Sequence, residues 1–140
     1  MLHNLRTIRG PGCPCKKTFE EADDLRSKGT REALNLARER FEVASNLFRD
    51  VKNSDGEGRS LVGIGIISNA LGNKQDALKF YNLALPLFRA LDNKSWISLT
   101  LNNIGSVYQD LGKTQKALDS FLESLPIARV GFDAKLLKAF

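Results

Sequence analysis

Histidine is almost missing from this 140-residue chain, with His3 the only one. That scarcity removes histidine-containing catalytic triads and paired-histidine metalloprotease motifs from everything beyond residue 3. Cysteine is nearly as rare. Cys13 and Cys15 stand alone in a Cys-Pro-Cys spacing, a zinc site takes about four ligands, and His3 is the one further candidate nearby. Two reduced thiols in an unstructured leader are therefore expected, with no metal. No apolar run approaches the roughly 18 residues of a membrane span, and the first residues lack the apolar core of a signal peptide. Acids and bases are scattered along amphipathic segments without a convergent set. These absences point to a cytoplasmic, non-catalytic protein with no cofactor and no membrane contact.

Net charge excludes a further class. Of the formal +5, Arg6, Arg9, Lys16 and Lys17 supply +4 within residues 1–17, where no acid occurs, leaving +1 for the other 123 residues. Nucleic-acid binders concentrate Lys and Arg on a folded surface, so the basic excess is assigned to a disordered leader, 1–17, and no nucleic-acid partner is expected.

What the chain does contain is a forty-residue period. Gly65, Leu71, Gly72, Gln75, Ala77, Leu78, Leu85, Pro86 and Arg89 recur as Gly105, Leu111, Gly112, Gln115, Ala117, Leu118, Leu125, Pro126 and Arg129. Upstream, Asn46–Asn53 matches Pro86–Asn93, and Gly29 lies 43 residues before Gly72, so the earliest unit is degenerate and shifted in register. Ala77, Tyr81, Ala84, Phe88 and Leu91 fall at steps of four and three, the mark of one apolar helical face. Asn73 with Asp76, Ser54 with Glu57, and Thr18 with Glu21 read as helix starts. Short "LGN" and "LGK" loops make successive helices antiparallel.

Pro86 and Pro126 interrupt this pattern, since a proline inside a helix costs about 3 kcal/mol. Because Phe88 and Leu91 stay in phase with Ala77 and Tyr81, a kinked but continuous helix is expected. Arg49, Arg89 and Arg129 share the period near helix ends, where a cation offsets the helix dipole; that role and a binding role both stand.

Leu101, Ile104, Gly105, Tyr108, Ala117 and Phe121 resemble the tetratricopeptide repeat, with Ser124 in place of the usual small alanine; Leu61, Ile64, Gly65, Ala77, Tyr81 and Ala84 fit the preceding unit, with Ser68 in place of an aromatic. The resemblance implies an all-α solenoid of antiparallel helix pairs over 18–140: a degenerate unit 18–53, units 54–93 and 94–133, and the truncated start of a further helix at 134–140. It places Gly65 and Gly105 where the first helix of a pair crosses the second, opposite Ala77/Tyr81 and Ala117/Phe121, so that close backbone approach offsets glycine's poor helix propensity. The period and the phrases "TLNNIGSVYQDLG" and "ALKFYNLALPLFRAL" are similar to arrays of bacterial CHAT-domain proteins. With no histidine after His3, the folded body cannot carry that domain's Cys-His peptidase dyad.

Such arrays bind a peptide or protein segment along the concave wall formed by the first helices. The resemblance nominates Arg59, Val62, Ile66 and Asn69 from one first helix and Asn102, Asn103, Ser106 and Gln109 from the next. An amide both donates to and accepts from a peptide backbone, although solvated polar residues would look the same. Val62 and Ile66 could receive a ligand side chain or pack near Ala22 and Leu25, and they occupy positions where a carboxylate clamp would need lysine and asparagine. Leu136, Leu137 and Phe140 give an apolar end that a solenoid normally caps, so self-association there is expected. The alternative function is a spacer or oligomerisation fragment of a larger signalling protein, with no groove ligand.

Overall fold

The structure, a computed structural model, describes residues 13–139, with side chains described as far as Ile127. Six α-helices follow one another among these residues: α1 Pro14–Lys28, α2 Arg31–Asp50, α3 Ser54–Ala70, α4 Lys74–Ala90, α5 Lys94–Asp110 and α6 Thr114–Ala139. Each packs against the next in the chain.

The connections set a rhythm of twenty residues. Lys52, Gly72, Asp92 and Gly112 all adopt the left-handed conformation, with φ of 57°, 89°, 50° and 72°. At each, the following amide donates back across the turn: Asn53 N to Phe48 O (2.8 Å), Asn73 N to Ser68 O (2.8 Å), Asn93 N to Phe88 O (2.9 Å) and Lys113 N to Tyr108 O (2.9 Å). Each left-handed residue's own amide donates to the carbonyl three residues earlier, which completes a Schellman turn. Helix starts are fixed by Thr30, Asn53 and Asn93, whose side chains accept from Ala33, Gly56 and Trp96 amides. Asn73 occupies the cap position without a side-chain bond, and the cap of α3 is Asn53, one residue before Ser54.

α3 is the centre of the packing, and its glycines explain how. A methyl group on Gly58 would stand 2.8 Å from the Phe88 ring, and one on Gly65 would stand 2.5 Å from the Tyr81 ring, both on α4. On the other side Gly56 and Gly63 meet Phe48 and Phe41 of α2 in the same way. Two glycines seven residues apart thus receive two rings seven residues apart on each neighbour, in antiparallel register. Gly105 repeats the device against Phe121 of α6, at 2.7 Å. Opposite α4, however, α5 carries Trp96 and Asn103 forty residues after Gly56 and Gly63, and Trp96 stacks on Phe88 with ring centres 5.4 Å apart.

The backbones of α1 and α3, and of α3 and α5, approach one another, whereas α2 meets α4 and α4 meets α6 through long side chains, Arg38 to Asp76 at 3.3 Å and Arg89 to Glu123 at 2.8 Å. The stack therefore bends toward the first helices, and α1, α3 and α5 form its inner wall. The buried core runs continuously from Ala22 and Phe41 through Ile64, Tyr81 and Phe88 to Ile104 and Val107.

Several expectations change. Pro14 occupies the first turn of α1, where its missing N–H costs nothing. The helix therefore starts there and not at Thr18, whose hydroxyl donates to Pro14 O. Cys13 and Cys15 are buried against Ala44 and Phe48 and bonded to each other, so residues 13–17 do not belong to a disordered leader and the cysteines are not free thiols. The rest of that leader, with His3, Arg6 and Arg9, lies outside the described residues. α4 and α6 continue through Pro86 and Pro126. The expected boundary at 133/134 is absent because α6 runs unbroken to Ala139; forty residues after Asp92 stands Phe132, a bulky residue for which a left-handed turn is costly. The side chains of Arg129, Leu136, Leu137 and Phe140 lie outside those described.

Candidate concave binding surface

On α5 the core takes Ile97, Leu101, Ile104 and Val107. The residues left on its open face are Leu99, Asn102, Asn103, Ser106 and Gln109. Asn102 lies toward α6, where Ser124 Oγ is 2.7 Å from its Oδ1 and 2.8 Å from Phe121 O, its single proton shared between them. Ser124, the departure from alanine noted in the sequence, thus ties α6 to α5 and occupies the Asn102 acceptor. Ser106 donates to Asn102 O within its own helix. Asn103 is half-buried.

α3 contributes less than its sequence promised. Val62 is 1% exposed and belongs to the core, so it cannot contact a ligand. Ile66 is half-buried and packs on the same core. α3 is wedged between α2 and α4 with α1 and α5 alongside, so its buried arc is far wider than that of α5, and a face copied across the period does not stay open. Asn69 accepts from Lys74 Nζ at 2.6 Å, and the same ammonium reaches Asp110 Oδ2 at 2.9 Å, which joins the ends of α3 and α5 through the start of α4.

Arg59 is the best-placed member of the set. Its guanidinium pairs with Asp55 at 2.9 Å and lies 5.1 Å from the centre of the Trp96 ring. On its other side opens a cleft of about 180 Å³ between α1 and α3, lined by Lys16, Phe19, Glu20, Phe48 and Asp55. Arg59 therefore joins the cleft to the open face of α5. Two residues there were not nominated: Leu99, 43% exposed, and Trp96. Leu99 stands forty residues after Arg59 and four before Asn103, so the same spacing would have found it.

Two of the periodic arginines take part in ion pairs, Arg49 with Glu57 and Arg89 with Glu123, each at 2.8 Å. Among the described residues no group of three or more His, Cys, Asp or Glu is arranged to hold a metal ion. No described helix is long and apolar enough to cross a membrane.

Residues 58–130 match the family model for the tetratricopeptide repeat. The chain belongs to the tetratricopeptide repeat family. The crystal structure of the tetratricopeptide repeat domain of Arabidopsis FLU is similar in fold, with a TM-score of 0.71 at 20% identity, over 85% of this chain and 99% of that one. No curated protein sequence matches the chain. Tetratricopeptide repeats generally mediate protein–protein interaction and are typically non-catalytic.

Proposed function

We propose that this tetratricopeptide repeat protein holds an extended peptide or partner segment on the inner wall formed by α1, α3 and α5, without chemistry. The observation that carries the reading is the continuity from the Arg59 cleft to Leu99, Asn103, Ser106 and Gln109. An exposed leucine beside amides and a hydroxyl offers one apolar anchor and several groups able to pair with a peptide backbone. Arg59, Ile66, Asn69, Asn102, Asn103, Ser106 and Gln109 remain the nominated contacts, with Leu99 and Trp96 added and Val62 withdrawn. The forty-residue repeat supports kinship with arrays that precede CHAT domains.

The test is site-specific photo-crosslinking in cells from position 106 on the inner wall and from position 82 on α4, outside it. A partner captured from 106 and not from 82, and lost on Leu99→Asp, supports the reading; equal capture from both positions overturns it. The second reading, a spacer with no groove ligand, predicts no specific capture from 106.

A further inference from the structure

Cys13 and Cys15 are bonded to each other across a single residue, Pro14. A bond that closes so short a loop removes little freedom from the unfolded chain, so it is a weak staple for the fold. Its surroundings suit chemistry better. The two cysteines line an open cavity of about 500 Å³ where the first turns of α1 and α3 meet, together with Lys16, Val51, Lys52, Ser54 and Leu91. Both residues are buried, at 1% and 3% exposed. A folded protein therefore cannot press against them, whereas a cavity of this size admits a small molecule.

The charge on the cavity wall is unevenly matched. Asp55 is paired with Arg59 at 2.9 Å and accepts from Asn93 Nδ2 at 3.2 Å. Lys16 and Lys52 line the same cavity, are exposed, and take no ion-pair partner among the described residues. The wall thus offers two cations to an anionic visitor.

The two sulfurs also differ as leaving groups. Cys13 is the N-cap of α1, and within the disulfide it makes no side-chain cap bond. Released as a thiolate, it could accept from an amide of the first turn, such as that of Lys16, in the manner of other N-cap side chains. The helix dipole favours the negative charge there and lowers the thiol pKa. Of two sulfurs in a disulfide, the one with the lower thiol pKa leaves faster.

We propose that this cavity is a thiol–disulfide exchange site for a small thiol that carries carboxylates. The incoming thiolate attacks Sγ of Cys15, the Cys13–Cys15 bond breaks, and its electron pair leaves on Cys13 as a thiolate. The product is a mixed disulfide on Cys15. One disulfide is consumed and one formed, so no separate oxidant takes part, and attack by Cys13 on Cys15 reverses the step. The cavity shares Lys16 and Asp55 with the α1–α3 cleft, which puts the adduct at the edge of the inner wall. The exchange itself does not depend on that wall holding a peptide.

The test treats the oxidised 140-residue chain, in native buffer, with reduced glutathione or with cysteamine, a small thiol of opposite charge. Rates are expressed per thiolate, samples are acid-quenched early, and fragmentation at the Cys13–Pro14 bond in the mass spectrometer locates the adduct. A glutathione adduct on Cys15 is expected, formed several-fold faster than the cysteamine adduct. Lys16→Gln and Lys52→Gln should each reduce that preference and together remove it, with circular dichroism melting to check that the variants are folded. An adduct on Cys13, equal rates for the two thiols, a preference that survives both substitutions, or reaction only in denaturing urea would each overturn the proposal.

Discussion

Gly65 of α3 lies so close to Tyr81 of α4 that a single added methyl would stand 2.5 Å from the ring. The ring cannot retreat, because Tyr81 is 2% exposed and sits in the middle of the core. Gly65→Ala would gain about 1 kcal/mol of helix propensity but incur about 1–3 kcal/mol of overpacking. The expected net result is a lower melting temperature, partly recovered when Tyr81→Leu is added. Gly65→Ala with an unchanged or higher melting temperature would remove close packing as the reason for glycine there.

Ser68 offers the reverse case. Its hydroxyl is fully buried, and among the described residues it has no hydrogen-bond partner. An unsatisfied buried polar group costs about 1–3 kcal/mol, and alanine is also the better helix former. Ser68→Ala is therefore expected to stabilise the chain by about 1 kcal/mol, measured by urea denaturation. A destabilised variant would show that the hydroxyl is satisfied in solution.

Burial also pushes the Tyr81 phenol up to about 12 from the ordinary 10.0. The folded state therefore resists ionisation longer than the unfolded chain does. The stability linked to this group is full below pH 10 and is lost as the pH rises from there toward 12. Tyr81→Phe should flatten that part of the stability profile relative to wild type, as seen in denaturation midpoints at pH 9, 10 and 11. Parallel profiles for the two proteins would show that the phenol does not govern the alkaline limit.

How legible this was depends on what each residue must satisfy. Gly65 and Gly105 were readable because a helix tolerates such a residue only where something compensates, and the matching rings stand at a fixed offset. The helix start at Pro14 was not, since proline and glycine nearby suggest a breaker until it is known that proline falls in the first turn. The exposed face of α5 was readable because its buried arc is narrow, and Val62 was misread because the burial of α3 depends on four neighbours at once. Trp96 was hidden for a related reason: its role comes from Phe88 and Arg59, on different helices.

The four turns make a paired prediction. Lys52 and Asp92 adopt a conformation that costs a side-chain-bearing residue about 1–2 kcal/mol, while Gly72 and Gly112 adopt it freely. After allowing for the greater freedom of glycine in the unfolded chain, Lys52→Gly and Asp92→Gly should each stabilise by about 0.5 kcal/mol. Gly72→Ala should destabilise by about 1 kcal/mol. The Asp92–Lys94 ion pair lost in one variant is solvent-exposed and offsets little of this gain. Thermal melts of the three variants check the sign of each, and a fall in the melting temperature on either glycine substitution would show that those turns are not strained.

Trp96 is the only tryptophan, and its surroundings make it a native reporter of the inner wall. Phe88 stacks on the indole, and the Arg59 guanidinium lies over the ring 5.1 Å away. Arg59 is held by an exposed ion pair to Asp55, which contributes little to stability, about 0–1 kcal/mol, so Arg59→Ala should leave the melting temperature nearly unchanged. Removing the guanidinium bares the indole to water, and its fluorescence emission should shift to longer wavelength. Arg59→Lys, which keeps the charge but not the planar group, should give an intermediate shift because a lysine covers less of the ring. Identical spectra for wild type and Arg59→Ala would mean that the arginine does not rest on the ring in solution, and the bridge from the α1–α3 cleft to the open face of α5 would be lost with it.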